Sequence, residues 1–431
     1  MPLSLPLVEH RLDNGLRVVV NEDHVTPNVA VCLWYGVGSR HEEPGRTGFA
    51  HLFEHVMFQG STNVAKGEHF SLVQAAGGTL NGTTSFDRTN YFETMPSHQL
   101  ALALWLEADR MGGLLDALDQ ENLDNQRDVV KNERRQSYDN QPYGTAYERL
   151  FAMLFPPGHP YHHLPIGSME DLDAASLEDV QGFFRRHYAP DNCVLSVAGD
   201  APPDEALELV ERYFGGLAPC GGLALARDGT IGPLDSVVRS EVRDEEVPAE
   251  RYTAAYRIPA DGDPAVDALS VAGAVLTRGQ ASRLHRRLVR RDRIAQEVSL
   301  GVERLIGGAS MAYVDALVSS DATLDQVEAV IEEELAAIAR EAPAAAEVER
   351  AQALIERSWL DQLTGVQGRA DQLCRFATLH GDPRLLLGAV DRALAVTPER
   401  VQEAVATLLR PEARAVLTYH VERPATEGRA A

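Results

Sequence analysis

Two stretches of this 431-residue chain repeat one another. "SLEDVQGFFRRHYAPDNCVLSV" begins at Ser176 and "TPERVQEAVATLLRPEARAVLT" at Thr397. A constant offset of 221 pairs Glu178 with Glu399, Val180 with Val401, Gln181 with Gln402 and Pro190 with Pro411. Each copy reads as a capped helix, a proline stop and a strand. The offset is about half the chain, so the chain is expected to build two related α/β halves. The Gly- and Pro-bearing stretch "GGLAPCGGLALARDGTIGPL" from Gly215 is the natural boundary. The expected division is an N-terminal domain over 1–218, a linker over 219–245 and a homologous C-terminal domain over 246–431.

Composition narrows the class. Hydrophobic residues make up 44% and charged residues 24% of the chain, as in a globular protein with sizeable cores. The formal net charge is −24 and is spread along the chain, which argues against nucleic acid or an anionic membrane surface as partner. No apolar run reaches the roughly 18 residues of a spanning helix. The opening "MPLSLPLVEHRLDNGLRVVV" has neither a basic n-region nor a continuous apolar stretch, so no signal peptide is read and a cytoplasmic location is expected. Cys32, Cys193, Cys220 and Cys374 are far apart and form no C-x-x-C pair, which disfavours a disulfide scaffold or a thiolate zinc site.

Strand-like and helix-like stretches alternate. Asn14-Gly15 predicts a hairpin, and "NVAVCLWYGVG" a buried strand. "HFSLVQAAGG" reads as a helix ending on a glycine pair. "TLNGTTSFDRTNYFETMP" reads as two strands with a turn near Phe86-Asp87. Ser97 is expected to cap the helix "HQLALALWLEADRM", with Gly112 ending it. A further helix is expected from about Glu121 to Gln136.

The stretch "GFAHLFEHVMFQG", residues 48–60, carries the chemistry. Its apolar residues suit a buried helix, yet His51, Glu54 and His55 share one face of it. Two imidazoles one turn apart can present ring nitrogens to a single ion. A carboxylate between them, not itself a ligand, can take a proton from a water on that ion. The spacing is H-x-x-E-H, the inverse of the commoner zinc-peptidase motif. A catalytic zinc takes three protein ligands and keeps one position for water. Glu133, in "NQRDVVKNERRQ", is eligible as the third, and by chemistry alone so are Glu107, Asp109 and Asp128.

The chain resembles the pitrilysin/insulinase family of zinc peptidases, the inverzincins, which include the mitochondrial processing peptidase. The blocks "LDNGLRVVVNED", "YGVGSRHEEPGRTGFAHLFEHVMFQGS", "GGTLNGTTSFDRTNYFETMP", "VVKNE", "PYHHLPIGSMEDL" and "HYAPDNCVLSVAGD" look like that family's, in its order and over nearly the whole chain. The resemblance implies an α+β fold of two homologous halves, each a mostly antiparallel sheet packed with helices, joined by a linker. It implies one Zn2+ per chain on His51, His55 and Glu133, with Glu54 as general base. It also implies that Asn81 and the backbone of Gly82 hold an extended peptide by strand addition. The implied activity is hydrolysis of unstructured or presequence-like peptides in a closed chamber.

Two positions depart from the family. Where members carry a second acid on the third ligand's helix, this chain has Gln126, which hydrogen-bonds without bringing charge. Where single-chain members have an Arg and a Tyr that help bind substrate and the oxyanion, the matching stretch "SRLHRRLVRRDRIAQEVSL" has Val289 and Gln296. Arg290 is one residue out of place, and no shift supplies the Tyr. The expected partner is therefore a homologous zinc-less subunit supplying the pair, in a heterodimer. The alternatives are a self-sufficient homodimer and a non-catalytic core subunit. His159, His162 and His163 are expected to be structural. The arginines at 286, 287, 290, 291 and 293 are expected to form a solvated or partner-facing helix.

Overall fold

The computed structural model describes residues 5–222 and 227–422. The first half begins with the Asn14-Gly15 hairpin, joining strands β1 (Val8–Arg11) and β2 (Arg17–Glu22), and continues into β3 (Asn28–Tyr35). Gly15 sits at φ 95°, a conformation glycine adopts without penalty. Helices α1 (Phe49–Val56) and α2 (Glu68–Ala75) precede strands β4 (Thr79–Thr84) and β5 (Thr89–Pro96). Then come α3 (Leu100–Ala117), α4 (Gln120–Arg134), α5 (Ala146–Leu154), α6 (Met169–Ala174), α7 (Leu177–His187), β6 (Cys193–Gly199) and α8 (Pro203–Phe214).

The second half comprises β7 (Val238–Asp244), β8 (Arg251–Pro259), α9 (Pro264–Thr277), β9 (Ala295–Glu303) and β10 (Ala309–Val318). It continues with α10 (Leu324–Arg340), α11 (Ala345–Thr364), α12 (Val366–Leu379), α13 (Ala389–Leu394), α14 (Pro398–Leu408) and β11 (Ala415–Val421). No helix among the described residues is long and apolar enough to cross a membrane. The stretch 219–245 carries β7 at its end, paired in parallel with β11, while residues 223–226 lie outside the described residues.

The repeat extends to topology. The first sheet runs β1-β2-β6-β3-β5-β4 and the second β7-β11-β8-β10-β9. After β1, the two match strand for strand. The pairs β2/β6 and β7/β11 are parallel, and every other pairing is antiparallel. Both copies of the quoted motif are capped as expected. Ser176 Oγ accepts from Asp179 N, and Thr397 Oγ1 from Arg400 N.

Two expectations at α3 are corrected. Ser97 makes no cap, and its hydroxyl donates instead to Asp200 Oδ2 at 2.8 Å. Gly112 does not end the helix, which runs on to Ala117. The glycines serve close approach: a Cβ on Gly113 would lie 2.2 Å from Thr62 Oγ1.

The chain forms two compact units that are not contiguous in sequence. One comprises the residues up to Arg134 with His163–Arg227 and Trp359–Ala389; the other comprises Arg135–His162, Asp228–Ser358 and the residues from Val390. The repeat offset carries 135–162 onto 356–383, so each half gives the corresponding segment to the other half's unit. In the first unit α12 lies on β3 and β6, where Leu373, Cys374 and Phe376 join Val19, Ala30, Trp34 and Val194 in one core. Trp34 Nε1 donates to Asp371 Oδ1 at 2.9 Å there. In the second unit α5 lies on β8 and β11.

Candidate metal centre

Helix α1 buries Phe49, Leu52, Phe53 and Val56 and turns His51, Glu54 and His55 the other way. Helix α4 lies against α1 and brings Glu133 to the two histidines. Ligand atoms of His51, His55 and Glu133 all lie within 4.8 Å of one another. Glu133 Oε2 is 3.1 Å from His55 Nε2 and 3.6 Å from His51 Nε2. The imidazole planes cross at 80°.

The electrostatics suit a cation. Burial lowers the His51 pKa and keeps the ring neutral, so its nitrogen lone pair is free to bind. The hydrogen bond from His55 lowers the Glu133 pKa and keeps the carboxylate ionised. Two imidazoles and one carboxylate form a donor set zinc accepts, and three ligands leave a position for water.

The rival third ligands are placed elsewhere. Glu107 is fully buried in an ion pair with Arg110. Asp109 accepts from Ser61 Oγ and Asn63 Nδ2, and Asp128 is exposed. Gln126 is buried on α4, but its amide donates to Asn125 Oδ1 at 2.9 Å, while His51 Nδ1 is buried without a partner.

Asn81 and Gly82 lie inside β4, not in a turn, and β4 is an edge strand. Gly82 stands opposite Tyr91 on β5. A Cβ on Gly82 would lie 3.0 Å from the Tyr91 ring and 3.3 Å from Glu54 Cγ. The edge strand therefore passes directly beside the Glu54 side chain. Tyr91 in turn donates its hydroxyl to Phe53 O on α1 at 3.0 Å.

A second trio, His69, Glu93 and Glu107, is close enough to hold an ion. Here Arg110 already supplies the cation, donating to Glu107 from Nε at 2.8 Å. Burial pushes the Glu93 carboxyl up to about 8 and His69 down to about 3. This buried cluster is balanced by protons and an arginine.

The three histidines of the 159–163 stretch are held in hydrogen bonds, and in the arginine run Arg286, Arg290, Arg291 and Arg293 are exposed. His159 Nε2 donates to Gly229 O at 2.9 Å, and His162 Nδ1 to Phe155 O at 2.7 Å. His163 Nε2 meets Glu42 Oε2 at 2.8 Å. In the arginine run, Arg287 pairs with Asp292, Glu333 and Glu334. Val289 packs against the second unit's core, and Gln296 donates to Val318 O at 3.3 Å.

A fold of two topologically matched α+β halves, one with an H-x-x-E-H helix at its sheet edge, defines an inverzincin-like class. Residues 17–155 match the insulinase (peptidase family M16) model, and residues 174–355 match the peptidase M16 inactive domain. The chain belongs to the insulinase family, peptidase family M16. Zinc protease PqqE of Helicobacter pylori is 34% identical over 288 residues, covering 66% of this chain and 64% of that protein, a little under two thirds of the relative's length. The mitochondrial-processing peptidase subunit beta of Blastocladiella emersonii is 28% identical over 214 residues, covering 50% of this chain and 45% of that one. The crystal structure of a protease from Helicobacter pylori superposes with a TM-score of 0.89 at 25% identity, covering 97% of this chain and 100% of that one.

Proposed function

We propose that this chain is a zinc metalloendopeptidase acting on unstructured or presequence-like peptides, and that it is the zinc-bearing subunit of a heterodimer. The observation that carries the reading is the meeting of His51, His55 and Glu133 beside edge strand β4, with Glu54 against Gly82. His51, His55 and Glu133 are the residues that hold one Zn2+. When bound, the ion supplies a water of pKa about 7 and polarises the scissile carbonyl. Glu54, on the same helix face, would be the group that accepts a proton there and returns it to the leaving amine nitrogen. Among the described residues β4 pairs with β5 alone, which leaves its other edge for an extended peptide lying along Asn81 and the backbone of Gly82.

Division of labour is supported by Val289 and Gln296, which stand where single-chain members carry Arg and Tyr, and by a relative named as a subunit. Loss of one oxyanion donor typically costs about 10²–10³ in rate. The test is an assay on an unstructured peptide with the chain alone and with a homologous zinc-less partner, for wild type and Glu54→Gln. Glu54→Gln is expected to keep its zinc and lose about 10²–10⁴ in rate. The partner is expected to raise the wild-type rate. Near-native cleavage by Glu54→Gln refutes the general base, and full activity of the isolated chain refutes the heterodimer.

A further inference from the structure

The two ligand-bearing helices are held together by a segment that carries none of the ligands. At the start of α1, Gly48 is left-handed at φ 91° and has no side chain to cap the helix. The exposed N–H groups of a first turn need acceptors. They find one in Glu42, whose carboxylate is fully buried. Its two oxygens accept from Gly48 N and Ala50 N, each at 2.8 Å, immediately before His51. The same carboxylate is met by His163 Nε2 at 2.8 Å.

From His163 the chain runs under the start of α1. A Cβ on Gly167 would lie 2.3 Å from Gly48 Cα, so the two backbones touch. Ser168 N donates to Thr47 Oγ1 at 2.9 Å, and Asp171 Oδ2 accepts from Thr47 N at 2.9 Å and Thr47 Oγ1 at 2.7 Å. The segment then grips α4. Arg127 donates to Leu172 O at 2.7 Å and Ala175 O at 2.8 Å, and Lys131 forms an ion pair with Asp173. Arg134 Nη1 reaches Gly167 O at 3.4 Å. One stretch of 13 residues therefore ties the helix of His51 and His55 to the helix of Glu133.

We propose that segment 163–175 is a brace that sets the spacing of the two ligand helices, with Glu42 and Asp171 as its positioning residues. This rests on the reading of His51, His55 and Glu133 as zinc ligands. Metal affinity depends on how much of the ligand geometry exists before the ion arrives. The brace holds α1 and α4 at a separation that brings the three donors together in advance.

The experiment measures zinc affinity by chelator competition, and the visible spectrum of the cobalt-loaded chain, for Glu42→Gln, Asp171→Asn, His51→Ala and the exposed Glu170→Gln. Thermal unfolding of each metal-free chain is recorded in parallel. Glu42→Gln and Asp171→Asn are expected to lose about 10–100-fold in affinity and to shift the cobalt bands, with Glu170→Gln unchanged. The shift in bands reports altered ligand geometry, which simple destabilisation does not produce. Wild-type affinity and spectrum in both Glu42→Gln and Asp171→Asn overturn the brace. Undiminished affinity in His51→Ala overturns the zinc reading instead. If a brace variant does not fold, the conservative Thr47→Ser, which keeps the Asp171 contact, and Thr47→Val, which removes the hydroxyl, give the same comparison.

Discussion

Glu133 is a half-buried carboxylate whose one distinction is position. It meets His55 Nε2 at 3.1 Å, while Asp128, five residues earlier on the same helix, is exposed. Substituting Glu133→Ala removes one of three donors, and the expected loss of zinc affinity exceeds the roughly 10–100-fold typical of losing an outer-shell partner. Asp128→Ala should bind zinc as wild type does. Metal content after dialysis checks both, and stoichiometric tight zinc in Glu133→Ala counts against its role. The histidines were legible because i and i+4 share a helix face whatever the tertiary structure. Glu133 was legible only through the family resemblance, because helical spacing carries no information across the 78 residues from His55. By chemistry alone Glu107, Asp109 and Asp128 stayed eligible, and packing places them elsewhere. Glu42 gave no signal at all: a carboxylate six residues before the glycine it serves matches no capping pattern, and its side-chain partner His163 is 121 residues away.

At the scale of elements, the closeness of α1 and β4 sets how near the edge strand lies to the Glu54 side chain, the proposed general base. Gly82 is required for that closeness. Replacement by alanine places a methyl carbon 3.0 Å from the Tyr91 ring and 3.3 Å from Glu54 Cγ, so one of them must move. Small displacements at a reacting group are costly, so Gly82→Ala is expected to lose about 10-fold or more in kcat/KM with zinc retained. The thermal midpoint should fall modestly, consistent with overpacking of about 1–3 kcal/mol. Unchanged kinetics in this variant remove Gly82 from the site. Strands β2 to β6 and helices α1, α2, α4 and α7 follow the turn and periodicity signals of the sequence. Helix α3 did not, because Gly112 and Gly113 resemble a terminus when read locally. Their absent side chains instead admit Thr62 and Leu217. The offset of 221 carries His51, Glu54 and His55 onto Ala272, Val275 and Leu276, all buried on α9. The second half has replaced the whole polar face with core.

At the scale of the molecule, the exchange of segments makes neither half self-sufficient. Residues 1–227 supply the first sheet but not α12, which covers Trp34, Val194 and their neighbours. Residues from 228 onward supply the second sheet but not α5. Expressed alone, 1–227 is expected to lack cooperative unfolding and to aggregate through that bare face. Co-expressed with 228–431 it should form a soluble complex. A sharp unfolding transition for isolated 1–227 at the full-length temperature contradicts the exchange. The repeat made two halves legible, but a helix buries its apolar stripe equally well on either of two similar sheets, and nothing local in α5 or α12 says which.

That exchange also sets a clock. A ribosome delivers roughly 5–20 residues per second. The last strand of the first sheet, β6, ends at Gly199, but α12 is not finished until Leu379. For on the order of 10–40 seconds of synthesis, the newborn chain therefore carries a paired sheet with one oily face uncovered. The interval is a window for holdase chaperones. It is equally a window in which the face of one nascent copy can take the late helix of another, on the same messenger, and bind two chains into one.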